Sequence, residues 1–379
     1  MSVLSGIRVI ELAGMGPAPF AATLMSDLGA DVVRVCRVAE VGHPAEPHLR
    51  GRRSIGLDLK NPRGVEVLRR LLAEADVLLD PYRPGVLEKL GLDPQTLCVD
   101  YSRLVVVRST GWGQDGPMAS SAGHDITYMA LSGALFPIGP AGSPPMHPLN
   151  YVADYGGGLL VVISALAALV ERTRSGTGQV VDSSMLDLCA YLTSFIHSRL
   201  SRGRWSTSRG MNMLDGSCPY YGVYEAKDGG FLAVGAVEPQ FYAELLRVLG
   251  LDPAEFRQDA VEEWPRMRAA IAEIFRTRDR ADWEAAFSGT EACVVPVLAP
   301  WEAPHHPHNQ AHNTFADAWG TLMPSPVPRF SRGAARWSLP PAPAGAHGRD
   351  LLRALGFGEG AIDDLVADGV VGVANPESR

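Results

Sequence analysis

Ile7-Arg8-Val9-Ile10-Glu11-Leu12, then Ala13-Gly14-Met15-Gly16-Pro17-Ala18-Pro19, then Phe20 to Leu28, is the stretch that decides the fold. The first piece reads as a β-strand, the second as a Gly/Pro loop, and the third as a helix ending at Gly29. Asp31-Val32-Val33-Arg34-Val35-Cys36 is a second strand. The alternation continues with a helix over Val65 to Ala75, a strand over Asp76 to Asp80, a helix over Val86 to Leu90 and a strand over Leu104 to Ser109. This spacing predicts βαβ units and a mostly parallel sheet, with ligands at the carboxyl ends of the strands.

After Asp154 an apolar helix runs to about Arg172. Gly176-Thr177-Gly178-Gln179 turns into a short strand, Val180-Val181-Asp182, and a further helix reaches about Leu200. From Tyr220 the texture changes. Tyr221 to Ala226 and Gly230 to Gly235 read as a hairpin across Lys227-Asp228-Gly229. Helices follow at Pro239–Leu249, Trp264–Arg276 and Arg280–Ser288, giving a second, α+β domain that ends near Val297. Pro300 to Pro343, rich in Pro and His, reads as a long surface connection, and Gly348 to Leu365 as a closing helical segment. There are no internal repeats.

The 379 residues suffice for one large or two ordinary domains. Lys plus Arg number 34 and Asp plus Glu 42, so the formal charge is 34 − 42 = −8. A mildly acidic chain without a long basic run is not built for nucleic acid, and an anionic ligand must be held by local basic residues. Five dispersed cysteines, with no CxxC spacing, argue against a disulfide framework and a zinc site. The start has no signal-peptide pattern, and Glu377-Ser378-Arg379 is not a peroxisomal address. The longest apolar stretch, Leu159 to Val170, is too short to span a bilayer. A cytoplasmic enzyme without a membrane or nucleic-acid partner is the expectation.

The Gly14-Met15-Gly16 loop invites a dinucleotide reading, but the third glycine falls at Pro19 and the second strand is followed by Arg37 rather than an acid. A prolyl loop lining a pocket fits better. Arg37, Arg52, Arg53, Lys60, Arg83 and Lys89 cluster about the early strand ends. Solvated surface charge is the ordinary explanation, a phosphate site the functional one, and Tyr82-Arg83-Pro84-Gly85 is its most specific member. His124, in Gly123-His124-Asp125, stands at a helix start where backbone N–H groups can hold an oxyanion. Asp154 alone reads as an N-cap, but Gly156-Gly157-Gly158 behind it marks close approach of a ligand or another backbone. Two proton carriers of different type suit removal of a proton from one face of a carbon and its return to the other. Glu238 before Pro239 is either a helix-terminal carboxylate or an acid that orients an imidazole. His305, His306, His308 and His312 match no metal spacing, and Pro304 and Pro307 break any helix that would align them, so no metal is expected.

Several motifs taken in order carry a resemblance over nearly the whole length. They are Leu4-Ser5-Gly6-Ile7-Arg8-Val9-Ile10-Glu11-Leu12, Asp80-Pro81-Tyr82-Arg83-Pro84-Gly85, Gly111-Trp112-Gly113-Gln114, Gly123-His124-Asp125-Ile126, Asn212-Met213-Leu214-Asp215-Gly216, Ala236-Val237-Glu238-Pro239-Gln240-Phe241-Tyr242 and Ala292-Cys293-Val294-Val295-Pro296. With these the chain resembles the α-methylacyl-CoA racemases, a branch of the family III CoA-transferase superfamily. The resemblance implies an α/β fold, a large Rossmann-like parallel-sheet domain plus a smaller α+β domain, in an interlocked homodimer. Residues 1–200 would form the N-terminal part of the CoA-binding domain, 201–219 a linker, 220–298 the small domain, 299–325 a second linker and 326–379 the return to the large domain.

It also implies site roles. His124 and Asp154 would be the acid/base pair, and Glu238 the carboxylate bonded to the histidine, across the dimer. The Asp125 N–H would hold the enolate oxygen. Arg37, Leu57, Leu59, Lys60, Tyr82, Arg83, Lys89, Gly123 and Tyr128 would line the CoA site. The implied reaction is racemisation of 2-methylacyl-CoA thioesters by two-base proton transfer, with no cofactor beyond the CoA of the substrate. The alternative is transfer of CoA between carboxylic acids through an anhydride on Asp154, with a silent CoA-binding protein third. The Gly-His-Asp motif favours the first. Ser217-Cys218 and Glu291 depart from the expected Gly-Ala and Asp, and the His/Pro-rich stretch Val38 to Leu49 is unusual. Met211 and Met213 suit either an adaptable acyl-chain surface or core packing.

Overall fold

The computed structural model describes residues 2–374, so the Glu377-Ser378-Arg379 end lies outside the described residues. The chain divides into two compact units. The first holds β1 (Arg8–Leu12), α1 (Pro17–Asp27), β2 (Asp31–Cys36), β3 (Arg52–Leu57), α2 (Pro62–Ala73), β4 (Val77–Asp80), α3 (Val86–Lys89), α4 (Pro94–Asp100), β5 (Val105–Thr110), α5 (Asp125–Ser132), α6 (Gly156–Ser175), β6 (Val180–Ser184) and α7 (Met185–Leu192). The second holds α8 (Ser194–Leu200), β7 (Tyr221–Glu225), β8 (Phe231–Gly235), α9 (Pro239–Leu249), α10 (Trp264–Phe275), α11 (Arg280–Phe287), β9 (Val294–Val297) and α12 (Pro307–Ala311). The chain then rejoins the first unit with β10 (Phe315–Ala318), β11 (Thr321–Pro324), α13 (Gly348–Ala354), α14 (Glu359–Ala367) and β12 (Val371–Gly372).

The main sheet runs β12-β3-β2-β1-β4-β5-β6, parallel throughout except for the antiparallel edge strand β12. Its six parallel strands have the doubly wound order, and the strand order reverses between β1 and β4. Alternation along the strands divides the core. Ile10, Val33, Leu78 and Val106 face α2, α4, α13 and α14, while Val9, Val32, Val77 and Val105 face α1 and α6. Burial on both faces explains the continuous apolar runs of these strands. The loops after β1 and β4 therefore flank the crevice at the switch point.

Two first-unit features differ from the sequence reading. Strand β3 was not foreseen because it opens on Arg52 and Arg53. Arg52 is only 4% exposed. It pairs with buried Glu11 of β1, and Arg53 with Asp31 of β2, so neither charge keeps the strand out of the sheet. Neither guanidinium then stands as a free member of the phosphate cluster. Tyr151–Ser175 forms 25 continuous helical residues, long and apolar enough by length and composition to cross a membrane. The twelve-residue apolar run had understated it, because helix continues through the glycines and past Val170. Its Gly157, Gly158, Val161, Val162 and Ala165 are buried, with the valines and Ala165 in the core shared with α1 and β5, while Leu159, Ile163 and Val170 are exposed.

The second unit has an antiparallel sheet, β7-β8-β9, and its own core around Tyr224, Leu232, Leu245, Phe275 and Trp283. Tyr224 stacks on Phe275 at 5.1 Å, and the Trp283 indole donates to the Phe275 carbonyl at 2.8 Å. The unit is wider than residues 220–298: Gly133–His147 and Thr193–Thr314 belong to it. Arg209 draws residues 136–143 in by donating to the carbonyls of Phe136, Pro140 and Ser143, with its guanidinium over the Phe136 ring. The expected linker 201–219 is organised by Asp215, whose carboxylate accepts the N–H groups of Gly210 and Asn212. Residues 300–343 are not a bare connection, since α12 and the β10–β11 hairpin lie within them. Pro307 starts α12 instead of breaking it, because proline at the first helical position forfeits only an N–H that has no partner there, and His308 and His312 stack at 5.8 Å.

Candidate active site

At the carboxyl ends of the first unit's strands lies a cavity of about 380 Å³. Its lining includes Gly16, Arg83, Ser109, His124, Tyr128 and Asp154. The two proton carriers singled out in the sequence thus meet in one cavity, at the switch point between β1 and β4.

His124 is the exposed residue just before α5. Its carbonyl accepts from the Thr127 N–H at 2.8 Å, and its own N–H is taken by the Thr127 hydroxyl at 2.9 Å. This closed first turn fixes the backbone beneath the imidazole. Gly123 is small for a packing reason. A Cβ there would lie 2.6 Å from the Tyr128 ring, and one at Gly111 2.3 Å. Tyr128, 5% exposed, fills that space and meets Trp112 edge-to-face at 4.7 Å.

Asp154 sits in a single π-helical turn, Tyr151–Tyr155, that leads into α6. Such turns re-aim a side chain at the start of an α-helix. The Asn150 amide donates to Asp154 Oδ2 at 3.1 Å. Asp125, buried beside His124, accepts the N–H groups of Ala153 at 2.7 Å and Asp154 at 2.9 Å on one carboxylate oxygen. Burial raises the Asp154 carboxyl above its ordinary range, and the charge of Asp125 adds to this, while Asn150 and His124 pull it back. The three glycines after Tyr155 serve close packing: a Cβ on Gly157 would lie 3.0 Å from Met185, and one on Gly158 2.8 Å from the Pro17 carbonyl. The close approach is to α1 and to Met185.

Three contributors escaped the sequence reading. Asn150 and the Asp125 carboxylate hold Asp154 as described. Gly16, at φ +72°, leaves room for the acid: a Cβ there would stand 3.1 Å from Asp154 Oδ1. The Gly-Met-Gly loop therefore accommodates a carboxylate rather than a pyrophosphate. The cavity floor is polar, with Ser109 and Thr110 buried at the end of β5 and their hydroxyls unpartnered among the described residues.

The expected CoA residues fall into three cavities of the first unit. Arg83, Gly123 and Tyr128 line the one above; Arg37 and Tyr82 line a neighbouring cavity of about 560 Å³; Leu59, Lys60 and Lys89 line a third of about 450 Å³. Leu57 lines none of these three cavities; its side chain, 2% exposed, belongs to the apolar core. Tyr82 and Arg83 follow Asp80, whose carboxylate accepts the Tyr82 N–H at 2.9 Å and the Arg108 guanidinium at 3.0 Å, an arrangement that fixes the turn. Glu238 lies in the second unit as the exposed N-cap residue of α9, with no side-chain cap bond. Met211 and Met213 line a cavity of about 430 Å³ in that unit, with Phe195, Trp205 and Trp264. All five cysteines are free.

A doubly wound sheet with a histidine and an aspartate in one cavity at its switch point places the molecule in the class of α/β proteins that take a ligand at strand carboxyl ends. Residues 4–348 match CoA-transferase family III, and the chain belongs to that family. It is 48% identical to the α-methylacyl-CoA racemase of Mus musculus over 374 residues, 97% of each chain. It is 43% identical to that of Homo sapiens over 378 residues, again 97% of each chain. Among solved structures it is similar to a CAIB/BAIF family protein from Brucella suis, with a TM-score of 0.79 and 25% identity, covering 93% of this chain and 99% of that one.

Proposed function

We propose that this protein is an isomerase that racemises 2-methylacyl-CoA thioesters at the α-carbon. The observation that carries the reading is that His124 and Asp154 line one cavity, with the carboxyl of Asp154 raised. Similarity over nearly the full length to two α-methylacyl-CoA racemases supports it.

The thioester carbonyl makes the α-hydrogen acidic enough to remove. One of the pair takes that proton and the other delivers one to the opposite face of the planar enolate. The oxygen charge is assigned to backbone N–H at the start of α5, with that of Asp125 in the leading role. Arg37, Tyr82, Arg83, Lys60 and Lys89 are assigned to the CoA moiety, which needs local cations on a chain of net charge −8. Proton transfer of this kind calls for no metal or redox cofactor, and CoA arrives as part of the substrate.

Glu238 is assigned to the imidazole, from the partner subunit of a homodimer. Support for a dimer comes from the apolar outer side of α6, where Leu159, Ile163 and Val170 are each about half exposed, a patch that a lone unit would not keep in water.

The test is to incubate (R)- and (S)-2-methylacyl-CoA separately with the enzyme in D₂O, with free carboxylate present. Racemase action gives deuterium at the α-carbon and convergence on both epimers. No exchange, with CoA passing to the carboxylate, would overturn it in favour of a transferase acting through Asp154.

A further inference from the structure

We infer that Asp125 is a positioning residue: its side-chain carboxylate clamps the turn that carries Asp154 at a fixed place beside His124 and sets a second acidic group against it. The inference rests on the proposed racemase reading for its purpose, and on geometry for its content.

Asp125 directly follows His124 in the chain and begins α5. It is 4% exposed. A single carboxylate oxygen accepts two successive backbone N–H groups, Ala153 at 2.7 Å and Asp154 at 2.9 Å. The two segments that bear the proton carriers are thus tied together by the side chain of one carrier's neighbour. Orientation of this kind matters because a shift of about 1 Å in a reacting group can cost on the order of a hundredfold in rate.

Capping alone does not call for a charge, since an amide oxygen would accept the same two bonds. A buried carboxylate is the costlier choice, and its placement beside a second carboxylate penalises ionisation of that neighbour. This is the effect a two-base enzyme needs. One free-enzyme form must carry the proton on the aspartate while the histidine is neutral, and an aspartate at its ordinary pKa would seldom do so near neutrality. The other groups facing this point are His124 and Tyr128 from the α5 segment, Asn150, Tyr151 and Tyr155 from the π-turn segment, Cys189 from α7, and Arg83, Arg34 and His48 across the cavities that Asp154 lines. Residues 17–26 of α1 and 156–169 of α6 carry no ionisable side chain. Asp125 is the acid of this set whose charge acts on Asp154.

The test compares wild type with Asp125→Asn, which keeps an acceptor oxygen and removes the charge. The Asp154 carboxyl is followed by ¹³C NMR titration, with its signal assigned by loss in Asp154→Asn. The Asp154 pKa is expected to fall in Asp125→Asn. The acidic limb of kcat/KM for 2-methyldecanoyl-CoA is expected to move down with it. Asp125→Ala, which also loses the clamp, is expected to lose roughly a hundredfold in kcat. An Asp154 titration unchanged in Asp125→Asn overturns the inference. If Asp125→Asn does not fold, Asp125→Ser, which also removes the charge, decides: an Asp154 titration below that of wild type supports the inference, and an unchanged one overturns it. Absence of racemisation in wild type would sink the racemase reading alone, because the titration needs no turnover.

Discussion

At the scale of single residues, the site is shaped as much by what is missing from Gly16 as by what Asp154 carries. The backbone at Gly16 has φ +72°, where a side chain is strained, and a Cβ would stand 3.1 Å from the Asp154 carboxylate. Gly16→Ala is expected to cost about 1 kcal/mol of stability. It should also lower kcat at least about tenfold by displacing Asp154, with less effect on KM. Steady-state kinetics and calorimetry on the same preparation check both, and an unchanged kcat would contradict the account. Asp80 gives a pH signature. Burial pushes its carboxyl up to about 6, against the Tyr82 N–H and Arg108. An unfolded aspartate titrates near about 4. The folded chain therefore holds this proton more tightly, and its contribution to stability, full below about 4, is lost as pH rises through about 6. Asp80→Asn is expected to remove that part of the fall in Tm between the two pH values. Equal slopes in variant and wild type would contradict it.

At the scale of elements, the packing of α6 on α1 decides which glycines are needed. Alanine is the better helix former, and in an open helix position the exchange stabilises by up to about 1 kcal/mol. At Gly158 the added carbon would meet the Phe20 ring at 2.6 Å and the Pro17 carbonyl at 2.8 Å. The carbonyl cannot give way without moving α1. Gly158→Ala is expected to destabilise by about 1–3 kcal/mol, whereas Gly360→Ala in α14, with nothing within 4 Å of the new carbon, is expected to be neutral or mildly stabilising. Thermal unfolding of the pair of variants separates the two effects, and a stabilised Gly158→Ala would contradict the packing described. The same scale explains which elements could be read in advance. Strands β1, β2, β4 and β5 announce themselves by apolar runs, and α9 by Pro239 at its start and Gly250 at its end. Strand β3 did not, because the partners that neutralise Arg52 and Arg53 lie on other strands.

At the scale of the whole molecule, the parallel sheet was legible, and so were His124 and Asp154 as residues whose glycine surroundings stand out in the sequence; the strand order and its switch point were not. What was not legible depends on contacts between distant segments. Asn150 is an ordinary loop residue until the π-turn folds Asp154 back onto it. Leu57 is a CoA contact only by what the resemblance implies, and the pleat turns its side chain into the core. Arg209 joins residues 133–147 to the second unit through backbone carbonyls, which leave no mark in the sequence. The account as a whole stands on His124 and Asp154 acting as two bases on one α-carbon. The most direct measurement is conversion of each enantiomer of 2-methyldecanoyl-CoA by His124→Ala and Asp154→Ala, followed by chiral analysis, with folding verified by circular dichroism. The account predicts that neither variant interconverts the epimers. Near wild-type racemisation by either one would remove that residue from the mechanism and contradict the two-base claim.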